Sequence, residues 1–100
     1  MTINSSTTVN GIVTEDIFVN NSASAVFNGI TNGNIFFSDT SSGLLQGIHN
    51  GDLFIDHNCS LKISGILNGT IKSTKSVESN VLICKDAVIN GKHYLSDEFM

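Results

Sequence analysis

Proline, tryptophan and arginine are all missing from this 100-residue chain, and charged residues make up only 14% of it. The missing arginine and the net charge of −4 argue against a nucleic-acid binder, because neutralising phosphates takes clustered Lys and Arg. No run approaches the ~18 apolar residues of a membrane-spanning helix. The opening MTINSSTTV has neither the basic nor the apolar segment of a secretory leader. Only two cysteines occur, Cys59 and Cys84. Without a leader they read as free thiols in a reducing compartment, so a cytoplasmic protein is expected. The remaining polarity is Asn, Ser and Thr, a composition poor in helix formers and suited to short strands and tight turns.

What the chain does have is a repeat. Cut every 18 residues from Asn10, it yields NGIVTEDIFVNNSASAVF, NGITNGNIFFSDTSSGLL and QGIHNGDLFIDHNCSLKI without a gap, and a fourth unit begins at SGILNGTIKS. Gly11, Gly29, Gly47 and Gly65 form one ladder and Gly33, Gly51 and Gly69 a second, taking seven of the nine glycines. Ile12, Ile30, Ile48 and Ile66 recur beside the first ladder. Ile17, Ile35, Leu53 and Ile71 form another, and Phe27, Leu45, Ile63 and Val81 close the unit. A period near 20 with strand-and-turn grammar means a solenoid, in which each unit buries its apolar face on the next.

Eighteen is three sixes, and Ile71, Val77, Ile83 and Ile89 recur every six residues. The expected fold is therefore all-β: a single-stranded triangular parallel β-helix of about 18 residues per coil and roughly five coils. An antiparallel sandwich of short strands looks similar locally but does not explain the gap-free alignment. In the β-helix the seven ladder glycines are corners, where a left-handed backbone costs glycine nothing. Asn32, Asn50 and Asn68 are expected to stack as a ladder of side-chain amides. Residues 1–9 are unrepeated and read as an N-terminal cap, 10–92 as coils and 93–100 as a C-terminal cap over backbone edges that would otherwise pair with other chains. KSTKSVES (72–79) interrupts the pattern, and DAVINGK (86–92) restores the look of SAVFNGI (24–30).

No catalytic, cofactor or metal site is expected. Asp56, His57 and Cys59 form a single cluster, whereas zinc needs three or four ligands. Cys59 also aligns with Ala23 and Ser41, a small-residue position. His49 aligns with Val13, Thr31 and Leu67 and reads as a wall residue, while His93 lies in the tail. No serine or cysteine sits in a nucleophile motif. Hexapeptide-repeat acyltransferases share the triangular β-helix and use a histidine between subunits; only His49 and His57 would serve here, with too few coils.

Phe18, Phe36 and Phe54 carry more information. Strand neighbours point to opposite sides, and Ile17-Phe18-Val19, Ile35-Phe36-Phe37 and Leu53-Phe54-Ile55 are apolar on both. An apolar stripe must then face outward, either the phenylalanines or the aliphatics flanking them, and it ends at Lys72. Such a stripe marks a partner surface. Charge is also segregated: Glu15, Asp16, Asp39, Asp52 and Asp56 stand in residues 1–61 without a basic residue, and all five lysines follow.

The Gly-Ile steps spaced by apolar triplets, as in SGILNGTI and AVINGK, resemble the bactofilin-like family of polymer-forming bacterial cytoskeletal proteins over roughly residues 10–92. That resemblance implies non-enzymatic self-assembly into filaments of coils stacked end to end. The expected partner is the chain itself or another protein. The alternative is a specific protein-binding inhibitor, such as an immunity protein that neutralises a bacterial toxin.

Overall fold

The computed structural model describes residues 1–56, 58–73 and 80–99. Among these no α-helix occurs, and the strands are two to four residues long. The first coil is β1 (Thr2–Ile3), β2 (Thr7–Val9) and β3 (Ile12–Val13). The second is β4 (Ile17–Val19), β5 (Ser24–Phe27) and β6 (Ile30–Asn32), and the third β7 (Ile35–Phe37), β8 (Ser42–Leu45) and β9 (Ile48–Asn50). The fourth is β10 (Leu53–Ile55), β11 (Ser60–Ile63) and β12 (Ile66–Asn68), and the last β13 (Ile71–Ser73), β14 (Val81–Ile83) and β15 (Val88–Ile89). Strands three apart in order pair in parallel, giving three walls: β1-β4-β7-β10-β13, β2-β5-β8-β11-β14 and β3-β6-β9-β12-β15. Ile30 is the register partner of both Ile12 and Ile48, so the 18-residue period is the vertical repeat of a parallel β-solenoid.

Alternation along each strand sets the core. On the first wall Ile17, Val19, Ile35, Phe37, Leu53 and Ile55 point inward and are buried. The second wall contributes Ala25, Phe27, Leu45, Leu61, Ile63, Val81 and Ile83. Ile71, Ile83 and Ile89 of the six-residue series fall one on each wall; Val77 lies outside the described residues.

Residues 1–9 are not a cap. Thr2–Ile3 pairs with Phe18–Val19, and Thr7–Val9 with Ala25–Phe27, so this segment is most of the first coil. It hides from an 18-residue alignment because Ile3 pairs with Val19, 16 positions on, whereas Val9 pairs with Phe27, 18 on. Two residues are missing from its first corner. The last coil departs the other way. Leu61 pairs with Val81 and Ile66 with Val88, offsets of 20 and 22. Val81 therefore continues the Leu61 column, not that of Ile63, and Val88 stands over Ile66 instead of matching Val26 as the likeness of DAVINGK to SAVFNGI suggests. Two of the extra residues form a turn closed by the Ala87 amide donating to the Cys84 carbonyl (3.1 Å).

The tail reverses over the last coil. β16 (Lys92–His93) is antiparallel to β15, and β17 (Glu98–Phe99) is antiparallel to β14, so two of the three walls end in reversed strands.

The corners use glycine in two ways. Gly11, Gly33 and Gly51 have φ of +83°, +139° and +142°, in the region that favours glycine. Gly29, Gly47, Gly65 and Gly69 do not, which corrects the reading of all seven as left-handed corners. At Gly47 the constraint is crowding from the coil below: an added Cβ would overlap the Gly29 carbonyl oxygen and lie 2.8 Å from the Asn28 carbonyl. Non-glycine residues also take left-handed φ, Asp86 and Asn90 near the C-terminal end and two pairs at the corner from the first wall to the second. There Asn21 and Ser22 (φ 54° and 58°) and Asp39 and Thr40 (56° and 58°) form mirror-type turns. The residues after these two turns, Ala23 and Ser41, are buried, as is Cys59 at the equivalent position of the next coil.

Candidate functional site

The candidate surfaces are the outward columns of the three walls. On the first, Phe18, Phe36 and Phe54 face solvent, because Ile17, Val19 and their equivalents take the interior. Their register is vertical. Ring centroids lie 4.9 and 4.7 Å apart with planes 8° and 10° from parallel, close to the strand spacing that imposes the stack. The geometry decides what the column offers. Phe36 uses both ring faces on its neighbours, so along most of the column a partner meets ring edges.

The upper face of Phe54 is also occupied. Lys72, its register partner, holds its ammonium 5.3 Å from the ring centre and 3.2 Å from the Asp52 carboxylate. Asp52 is held below the usual carboxylate range, first by the Thr70 amide and then by Lys72. Beside the column is a groove of about 320 Å³ lined by Phe36, Phe54, Ile55, Asp56, Lys72 and Ser73.

The second wall shows Val26 and Leu44 half-buried, then exposed Lys62, then half-buried Leu82. Its column is interrupted by charge at the fourth rung.

The third wall is the least expected. Its inward column is Val13, Thr31, His49, Leu67 and Ile89, and its outward one is Ile12, Ile30, Ile48, Ile66 and Val88. Ile12 is 68% exposed and Ile66 37%, while Thr31, His49 and Leu67 are fully buried. Thr31 Oγ1 lies 2.6 Å from His49 Nδ1 inside the core. Burial holds the His49 pKa below 6.5, against the opposing effect of the Asp52 carbonyl and charge.

Polar ladders fix this arrangement. Asn50 donates its amide to Asn32 Oδ1 (2.8 Å) and Asn68 to Asn50 Oδ1 (2.9 Å). Asn90 completes the column by accepting from the Gly69 amide and donating to its carbonyl (2.9 and 2.8 Å). A second ladder had no reading in the sequence. Asp16, Asn34 and Asp52 each accept, through Oδ1, the backbone amide 18 residues on (2.9, 3.0 and 3.0 Å). The signal was the Asx at every eighteenth position.

Among the described residues no three His, Cys, Asp or Glu side chains converge on a metal-sized site. Cys59 is buried 3.6 Å from Ser41 Oγ, Cys84 is half-buried, and both are free thiols. His57 lies outside the described residues. His93 is exposed, 2.9 Å from Asp86 Oδ1. No helix among the described residues is long and apolar enough to cross a membrane. Comparison with protein-family models, with curated proteins and with solved structures finds no match.

Proposed function

We propose that the chain is a non-enzymatic, self-associating β-solenoid scaffold of bactofilin-like character, working in the cytoplasm. The observation that carries this reading is the pair of outward apolar columns, Phe18, Phe36 and Phe54 on the first wall and Ile12, Ile30, Ile48 and Ile66 on the third. Such columns give up the stabilisation of burial, about 1.5–3 kcal/mol for a fully buried Ile or Phe, and regain it only when something covers them. The free thiols Cys59 and Cys84 support a reducing compartment.

One observation favours a second reading, a protein-binding inhibitor of the toxin-neutralising type. The reversed strands β16 and β17 obstruct end-to-end growth at the C-terminal end, which suits a closed complex better than a filament. Sedimentation velocity and light scattering across the micromolar range test the first reading. Concentration-dependent association of the purified protein is expected, and a monomer at every concentration overturns it.

A further inference from the structure

We infer that the third wall is the surface on which two copies of this chain pair, stacks antiparallel, about a two-fold axis near Ile48. This rests on the self-association reading and names the face that does it.

The first argument is the inversion of that wall. Strand alternation lets either column face inward, and a one-residue slip would exchange them. Four isoleucines and a valine nevertheless stand outside, while Thr31 and His49 take core positions. A monomer gains nothing from that choice. A covered wall gains the burial of five aliphatic side chains in vertical register.

The second argument is charge. Lysine breaks the outward column of the second wall (Lys62) and ends that of the first (Lys72), and lysine is a common device against edge and face association. The third wall has none in its first four rungs and meets its lysine, Lys92, only in β16 above the fifth. Positions 10–14, 28–32, 46–50 and 64–68 contain no Asp, Glu, Lys or Arg, and His49 is buried and kept neutral. Two molecules of net charge −4 meet with least repulsion across this face.

The third argument fixes the occupant and its direction. A column of side chains repeating every ~4.8 Å interdigitates best with another at the same pitch, packed sheet on sheet at ~10 Å. Antiparallel stacks set Glu15 and Asp16, which follow the first rung of the wall in β3, across from Lys92 of the partner subunit, which follows the last in β15. Ile30 then faces Ile66 of the partner subunit, and the Ile48 side chains meet at the axis, as an isologous contact requires. Five rungs of about five residues give a footprint of roughly 24 × 16 Å, or ~400 Å² per copy. That is ~800 Å² in total, below the ~1,200 Å² at which stable specific interfaces begin, so the dimer is weak and transient, with a Kd on the order of micromolar or above.

The test is sedimentation equilibrium of the full chain beside three variants, each checked by circular dichroism. Ile48→Lys puts like charges at the axis, and Ile66→Lys adds a charge where the monomer already exposes it. Each should weaken the dimer at least ~100-fold, whereas Phe36→Asp on the first wall should leave Kd unchanged. If Ile48→Lys does not fold, Ile66→Lys decides. Wild-type affinity in both lysine variants, or loss of the dimer in Phe36→Asp alone, overturns the third-wall interface but leaves self-association standing. A wild type that is monomeric throughout overturns both.

Discussion

Gly43 belongs to neither glycine ladder, and its reason lies across the lumen. It stands in the inward column of the second wall between Ala25 and Leu61. Facing it from the first wall is Phe37, the only ring in a column that otherwise reads Ile3, Val19, Ile55 and Ser73. An added Cβ at Gly43 would lie 2.5 Å from Phe37 Cε1, 2.6 Å from Cζ and 3.2 Å from Leu61 Cδ1. The ring has little freedom to retreat, being 2% exposed and packed edge-on against Phe27 at 6.3 Å. Gly43→Ala should therefore cost about 1–3 kcal/mol, the usual penalty for overpacking. Phe37→Leu alone should cost about 2 kcal/mol through lost burial and the cavity left. Together they should partly cancel, because the new methyl occupies space the ring has vacated. Urea denaturation of the four proteins measures the coupling, and we expect the double variant to be at least ~1 kcal/mol more stable than the sum of the singles. Additivity within ~0.5 kcal/mol would refute the claim that Gly43 makes room for Phe37.

Gly47→Ala should be worse, about 3 kcal/mol or more, because its Cβ meets the backbone of Gly29 and Asn28, which no side-chain change relieves. Gly11→Ala, with nothing within 4 Å of the new atom but φ of +83°, should cost only about 1 kcal/mol; equal urea midpoints for the two would show that crowding between coils is not the constraint. Burial lowers the folded-state pKa of His49 below its unfolded 6.5, so its neutral form contributes stability that is complete above pH 6.5 and lost as pH falls toward the folded value. Across that window the slope approaches about 1.4 kcal/mol per pH unit, and Thr31→Val/His49→Leu should remove this component. Melting curves from pH 7 to 5 that are parallel for the two proteins would contradict a neutral buried His49.

The period was legible because side chains in vertical register must suit the same surroundings, so Gly, Ile and Phe recur at fixed spacing. The reason for each recurrence was less so. Glycine at position 47 looks the same in sequence whether it serves a left-handed φ or a neighbouring carbonyl, and only the approach of the coil below separates the two. Which Phe column faces out was undecidable from Ile-Phe-Val, Ile-Phe-Phe and Leu-Phe-Ile, since both sides are apolar. On the third wall the sequence did not say which column faces inward, and the structure buries Thr31 and His49 while the isoleucines stand outside. The end coils were obscured by two-residue changes at their corners, which shift the alignment while leaving wall register intact.

The ends and the sides of the stack have different consequences for assembly. Growth from the C-terminal end would have to displace β16 from β15 and β17 from β14, exchanging formed antiparallel pairs for new ones at little net gain. Lateral pairing displaces nothing. It also leaves the other walls as they are, because each wall of a solenoid is a separate surface joined to the next only through its corners. On the proposed reading, a dimer closed through the isoleucine column keeps both phenylalanine columns exposed, one on each copy. Those columns run in opposite directions, and each ends at a Lys72–Asp52 pair. A partner that engages both must itself be two-fold or carry two copies of one segment. A partner that engages one is bound at two-to-two stoichiometry, which has the molar ratio of the one-to-one complex of a monomeric inhibitor but twice its mass, a difference that light scattering reads.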